Sequence, residues 1–191
     1  MHTILRPLMF VPLLFVSLIT FCQSKNLKAV ELIQQQAEGK DSIVYVDSNY
    51  NYQVTVPKWW HLLATPEAAF GGTFPAVDSI ENALVIKSFK KDKFKDLADF
   101  EDWVIRKYSL GQAFEWSNDS KFMLRKELTD FNGPGDAFKI QLLRFRQIYM
   151  CCYILTQTSS AYIWIDFTAT NETYAKNFER FREVVSLFKK R

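Results

Sequence analysis

The chain is poor in the residues that carry catalysis or bind metals. Its 191 residues contain two histidines, His2 and His61, and three cysteines, Cys22, Cys151 and Cys152. A histidine base needs a nucleophile and an orienting partner, and no Gly-x-Ser-x-Gly or comparable signature accompanies His61. A hydrolase using His61 is therefore only a remote alternative. Cys151 and Cys152 are adjacent, so in a strand their side chains point to opposite faces, with Cα atoms about 3.8 Å apart, below the usual disulfide range. They are expected to be two buried thiols. One histidine and two opposed cysteines do not make a zinc site, and no cofactor is expected. Gly71-Gly72-Thr73 lacks the lysine and following helix of a phosphate loop. Asp96, Asp99, Glu101 and Asp102 interleave with apolar helix positions and read as surface charge rather than paired catalytic carboxylates. No internal repeat or low-complexity tract is present.

A long apolar run is also missing. Leu8 to Phe21 is apolar except at Pro12, Ser17 and Thr20. That is short of the roughly 20 residues needed to span a bilayer, and it matches a signal-peptide core over residues 1–21. Ile19-Thr20-Phe21-Cys22 resembles the lipobox of bacterial lipoproteins, in which the cysteine becomes the acylated first residue, so Cys22 is the expected lipid attachment site. Phe21 stands where that pattern has a small residue. Cleavage after Ser24, giving a periplasmic or secreted protein, is the alternative, and an uncleaved anchor is the third. Several acyl chains on one cysteine would hold the chain stably to a membrane. The expected location is the bacterial cell envelope. Loss of residues 1–21 removes one of the 24 basic residues and none of the 21 acidic ones, leaving a net charge of +2. That balance argues against a nucleic-acid partner.

Residues 22–41 are polar with a weak apolar pattern and read as a tether with a helical turn or two. Residues 42–191 read as a single domain. Ile43–Val46 and Tyr50–Val56 form a hairpin around Asp47-Ser48-Asn49, with Tyr50, Tyr52, Val54 and Val56 on one face. Residues 61–82 carry Pro66, Gly71, Gly72 and Pro75 without a period and read as a long loop. Ala83–Phe89 is a strand, and the basic run of Lys87, Lys90, Lys91, Lys93 and Lys95 reads as a solvated edge, with a membrane-surface contact as the alternative. Asp96 should cap a helix with Leu97, Phe100, Val104 and Tyr108 inward and Gly111 at its end. Phe122–Thr129 and Ala137–Phe145 make a second hairpin, closed by Asn132-Gly133-Pro134-Gly135. Phe145 is out of phase, which a bulge near Leu143 would absorb.

The last quarter is the clearest. Ile148 to Leu155 is apolar on both faces and should be a central strand. In the next strand Ile163, Ile165 and Phe167 alternate with Tyr162, Trp164 and Asp166. A closing helix follows, with Thr170 and Asn171 at its start and Tyr174, Phe178, Phe181, Val185 and Phe188 on one stripe. Short turns imply antiparallel pairing of about seven strands, so the class is α+β.

Tyr50 to Trp60, as Tyr-x-Tyr-x-Val-x-Val-Pro-x-Trp-Trp, resembles the opening strand of the PsbP-like superfamily. Asp166 to Lys189, DFTATNETYAKNFERFREVVSLFK, is similar to its last strand and closing helix. The superfamily includes the extrinsic PsbP subunit of photosystem II, the Ran-binding MOG protein and DcrB-type bacterial lipoproteins. The resemblance implies an α/β/α sandwich, a mostly antiparallel sheet with helices on both faces, and a binding or assembly role without catalysis. It transfers no functional residue. Candidate contact residues come from the chain itself: Trp59, Trp60, His61, Phe70 and Phe74, where neighbouring tryptophans on an extended strand would place one ring in the core and one outside. The expected partner is an envelope protein. A small apolar or lipid-like ligand, in a cavity under residues 61–82, is the alternative.

Overall fold

The structure, a computed structural model, describes residues 42–57, 59–62, 70–77, 82–108, 121–144 and 147–191. The leader, Cys22, the tether, Pro66, Gly111 and Phe145 lie outside the described residues.

Two antiparallel sheets form the frame. The larger has seven strands: β3 (His61–Leu62), β4 (Phe70–Thr73), β5 (Ala83–Lys90), β6 (Lys121–Glu127), β7 (Asp136–Arg144), β8 (Gln147–Gln157) and β9 (Ala161–Thr170). Their spatial order is β3-β4-β5-β9-β8-β7-β6. The smaller sheet joins β1 (Ser42–Asp47), β2 (Tyr52–Pro57) and β10 (Phe188–Lys190) in the order β1-β2-β10. β8 is central because both its faces are apolar: Met150 to Thr156 are all buried. β9, beside it, sends Ile163, Ile165 and Phe167 to one face and Tyr162 and Trp164 to the other.

Each face of the large sheet therefore needs a cover, and the covers differ. On one face lies α2 (Asn171–Ser186), whose Phe181, Val184 and Val185 share a core with Ile163, Ile165 and Phe167. The small sheet covers the same side through Tyr52, Val54 and Val56, each no more than 1 % exposed. On the other face lies α1 (Leu97–Asp102), which continues as a π-helical turn, Trp103–Tyr108. Phe100, Val104 and Ile105 pack there against Ile140, Tyr153, Leu155 and Trp164. The Asp96 carboxylate caps α1 by accepting from the Asp99 N–H at 2.9 Å. The result is the α+β sandwich with helices on both faces, and the opening hairpin adds a separate sheet to it.

Several boundaries differ from the sequence reading. α2 ends at Ser186, and Phe188 is a strand residue of β10, paired with Val54. Its ring still reaches the core, stacked at 5.3 Å on Tyr52. Thr170 sits at the helix start, but its hydroxyl bonds the Thr173 hydroxyl at 2.8 Å rather than a backbone N–H. The first hairpin turns over Ser48–Asn51, and Asn51 takes a positive φ of 56°, a conformation asparagine tolerates. The long loop expected over residues 61–82 contains β3 and β4. The irregularity in the second hairpin falls in β6, between Phe122 and Leu124, while β7 pairs with β8 in continuous register through Leu143.

Candidate functional site

The aromatic residues singled out in the sequence come together, and mostly in the core. After β2 the Trp60 N–H donates to the Pro57 carbonyl at 3.0 Å, closing a turn. That turn, rather than an extended chain, brings both tryptophan rings to the same cluster, 6.2 Å apart. Trp60 lies parallel to Phe70 at 5.9 Å, Phe74 meets it edge-on at 5.6 Å, and Phe74 in turn packs on Phe167 at 5.4 Å. Trp60, Phe70 and Phe74 are 6, 4 and 1 % exposed. Gly72 is what admits the indole, because a Cβ there would fall 2.0 Å from the Trp60 ring. The described part of the region expected to hold a cavity is thus filled by rings. Trp59 is the half-buried member, with the Arg180 guanidinium 5.9 Å from its ring centre. His61 pairs with Thr73 through the backbone of β3.

A buried polar chain ties this cluster to α2. The Asn82 carbonyl accepts from the Phe74 N–H at 2.9 Å. The Asn82 side chain donates to Thr173 Oγ1 at 2.9 Å and accepts from Asn177 Nδ2 at 2.7 Å. Asn177 Oδ1 accepts from Arg180 Nη1 at 3.1 Å. Three side chains at most 1 % exposed, Asn82, Thr173 and Asn177, satisfy one another and fix the height of α2 over the sheet.

The open surface lies on the other flank of α2. Tyr174, Phe178 and Arg182 follow at intervals of four, so they line one edge of the helix. Opposite them the turn after β6 presents Phe131, placed by its N–H donating to the Leu128 carbonyl at 3.2 Å. Tyr174 and Phe178 stack at 5.0 Å, and Phe131 stands 6.5 Å from Phe178. Between helix and turn is a cleft of about 480 Å³ with this aromatic floor. At its rim the Lys139 ammonium sits 5.5 Å from the Tyr174 ring centre, and Arg182 is held by Glu179 at 3.3 Å. Burial pushes the Tyr174 hydroxyl well above its ordinary pKa, so the ring stays neutral. The sequence places Tyr174 and Phe178 on the core stripe, and Tyr174 is indeed buried in the core with Phe178 packed against it, but the sequence does not single out Phe131. Its signal was available: one aromatic residue inside the polar turn Asp130-Phe131-Asn132-Gly133.

Groups with chemical potential elsewhere are committed to structure. Cys151 and Cys152 face opposite cores, both 0 % exposed, and burial pushes each thiol up to about 12. Cys151 Sγ lies 3.4 Å from Thr168 Oγ1. The Asp99 carboxylate accepts from the Lys95 N–H at 3.0 Å. Among the described residues no three His, Cys, Asp or Glu side chains gather as metal ligands, and no helix is long and apolar enough to cross a membrane.

No family model and no curated protein matches the sequence. Among solved structures, the chain is similar to cyanobacterial PsbP (CyanoP) from Synechocystis sp. PCC 6803, at 15 % identity and a TM-score of 0.55, over 81 % of this chain and 96 % of that one. It is also similar to LpqN, involved in cell envelope biogenesis of Mycobacterium tuberculosis, at 12 % identity and a TM-score of 0.47, over 76 % of this chain and 86 % of that one. A Pseudomonas aeruginosa protein of unknown function is similar at 13 % identity and a TM-score of 0.44, over 75 % and 93 % of the two chains. The first likeness is one of fold, and the fold is PsbP-like.

Proposed function

We propose that this chain is a non-catalytic module of the bacterial cell envelope. It is exported by its leader, anchored through a lipid on Cys22, and binds or assembles with an envelope protein through the cleft along α2. The observation that carries the reading is the cleft in which half-buried Phe178 and Phe131 flank the buried Tyr174 ring beside Lys139, an aromatic surface with a cationic rim where protein interfaces place their strongest contacts. The leader and lipobox-like segment support the location, and the PsbP-like fold is compatible with a scaffold that binds rather than transforms.

The test is a photo-crosslinking residue in place of Phe178, with a control in place of the exposed Glu183, in cells. A protein-sized adduct at 178 and none at 183 is expected. No adduct at 178 in a correctly located protein would refute the reading. The second reading, a carrier of a small apolar ligand, is favoured by the cleft's 480 Å³, which lies within the range of small-molecule sites. A small-molecule adduct at 178 in place of a protein one would select it.

A further inference from the structure

One end of the molecule gathers basic side chains from separate parts of the chain. β5 runs out at Lys90, whose partner on β9 is Ala161, just past the β8–β9 turn. The Lys91 ammonium reaches back to that turn, donating to Gln157 Oε1 at 3.0 Å. The β1–β2 turn is locked onto the same place. Asn51 Nδ2 donates to Ser159 Oγ at 2.8 Å and Ser160 Oγ at 3.1 Å, and Thr158 Oγ1 donates to the Tyr50 carbonyl at 2.7 Å. The end of the chain arrives there too, with Lys190 paired to Tyr52 and the Arg191 N–H donating to the Asn51 carbonyl at 2.8 Å.

Lys90, Lys190 and Arg191 are exposed, and among the described residues no carboxylate pairs with them. Two acids are near. Asp92 is exposed, while Asp47 is 8 % exposed and its carboxylate accepts from the N–H groups of Asn49 and Tyr50. Between the turn and the lysines is a concavity of about 650 Å³, edged by Asn49, Tyr50, Lys90, Lys91, Asp92 and Ser160.

We infer that this end is a second recognition surface, fitted to an acidic segment of a protein partner. Lys90 and Lys91 in its lining, with Lys190 and Arg191 on the adjoining segment, outweigh the one exposed side-chain carboxylate, Asp92, and interlocked turns hold the backbones that carry them in place before binding. A concave, hydrogen-bonding surface suits a chain segment better than a flat bilayer. Position argues the same way, and this step rests on the anchored reading above. β1 begins at Ser42, so on that reading the anchored segment joins the fold six strand residues, about 20 Å, from the basic end and leaves that end free for a protein partner.

The experiment uses the full chain in neutral detergent and a fluorescent oligoglutamate peptide. Wild type should bind, with affinity falling as ionic strength rises. K90E/K91E and K190E/R191E should each lower affinity about tenfold. K126E/K176E, the same charge change elsewhere, should leave it unaltered. Equal losses in all three, or no binding by wild type, would overturn the inference. So would binding that depends on Lys90 and Arg191 but is seen only with anionic-lipid nanodiscs and not with the peptide. The crosslink at 178 is independent, so its persistence without oligoglutamate binding would remove this inference and leave the module reading intact.

Discussion

Asn177→Ala should destabilise the fold by about 2–4 kcal/mol without touching the apolar core. The amide of Asn177 is fully buried, and its Nδ2 is the donor to Asn82 Oδ1. Truncation leaves that oxygen without a partner in a site closed to water, at a cost of about 1–3 kcal/mol, and removes the packing of the amide itself. Arg180 also loses an acceptor, but its exposed guanidinium recovers water and adds little. Asn82→Ala should cost a similar amount, since it strips the partner from Asn177 Nδ2 and the donor from Thr173. The double variant removes both halves of the Asn82–Asn177 bond, so the orphan penalty is no longer paid twice. It should therefore fall short of the sum of the singles by about 1–2 kcal/mol. Urea unfolding followed by tryptophan fluorescence and far-UV circular dichroism measures all three differences. A melting decrease of roughly 6–12 °C for each single would accompany them. An Asn177→Ala protein within about 0.5 kcal/mol of wild type, or strictly additive singles, would refute the account of a mutually satisfied network.

Gly72→Ala should force the Trp60 indole from its seat, because the new Cβ would lie 2.0 Å from the ring. A loss of about 1–3 kcal/mol and a red shift in tryptophan emission are expected, and an unchanged spectrum would count against the packing. Cys151 and Cys152 should resist thiol reagents in the native protein and react only on unfolding. Their thiols, ordinarily at 9.0, are held at about 12, so the folded state keeps protons that the unfolded state releases. The stability they contribute is full below about pH 9 and is lost as pH rises toward 12, a decline that Cys151→Ala/Cys152→Ala should flatten. Phe131→Ala should leave the described core standing yet abolish the Phe178 crosslink, since it removes one wall of the cleft; an undiminished adduct would detach the cleft from partner binding.

What the sequence made legible was set by local period and local chemistry. β8 read as central because both its faces are apolar, β9 as the bed of α2 because it alternates, and Asp96 as a cap because a carboxylate precedes an apolar stripe. The opposition of Cys151 and Cys152 followed from strand geometry alone. Phe188 was misplaced because a helix stripe and a β-strand can both bury the same ring, and only pairing with Val54 decides between them. β3 and β4 have no side-chain pattern to read at Gly71 and Gly72, and the role of Gly72 depends on Trp60 from the turn between β2 and β3. The α2 cleft was invisible for the same reason. Phe131 meets Phe178 only after β6 and β7 have folded back, and no period links residues so far apart.

The most direct measurement of the central claim is native mass spectrometry of the protein extracted from its own envelope in mild detergent. The account predicts an intact mass that begins at an acylated Cys22, and a non-covalent complex heavier by the mass of a protein partner. A bare, unacylated monomer, in a preparation where other membrane complexes survive, would contradict it.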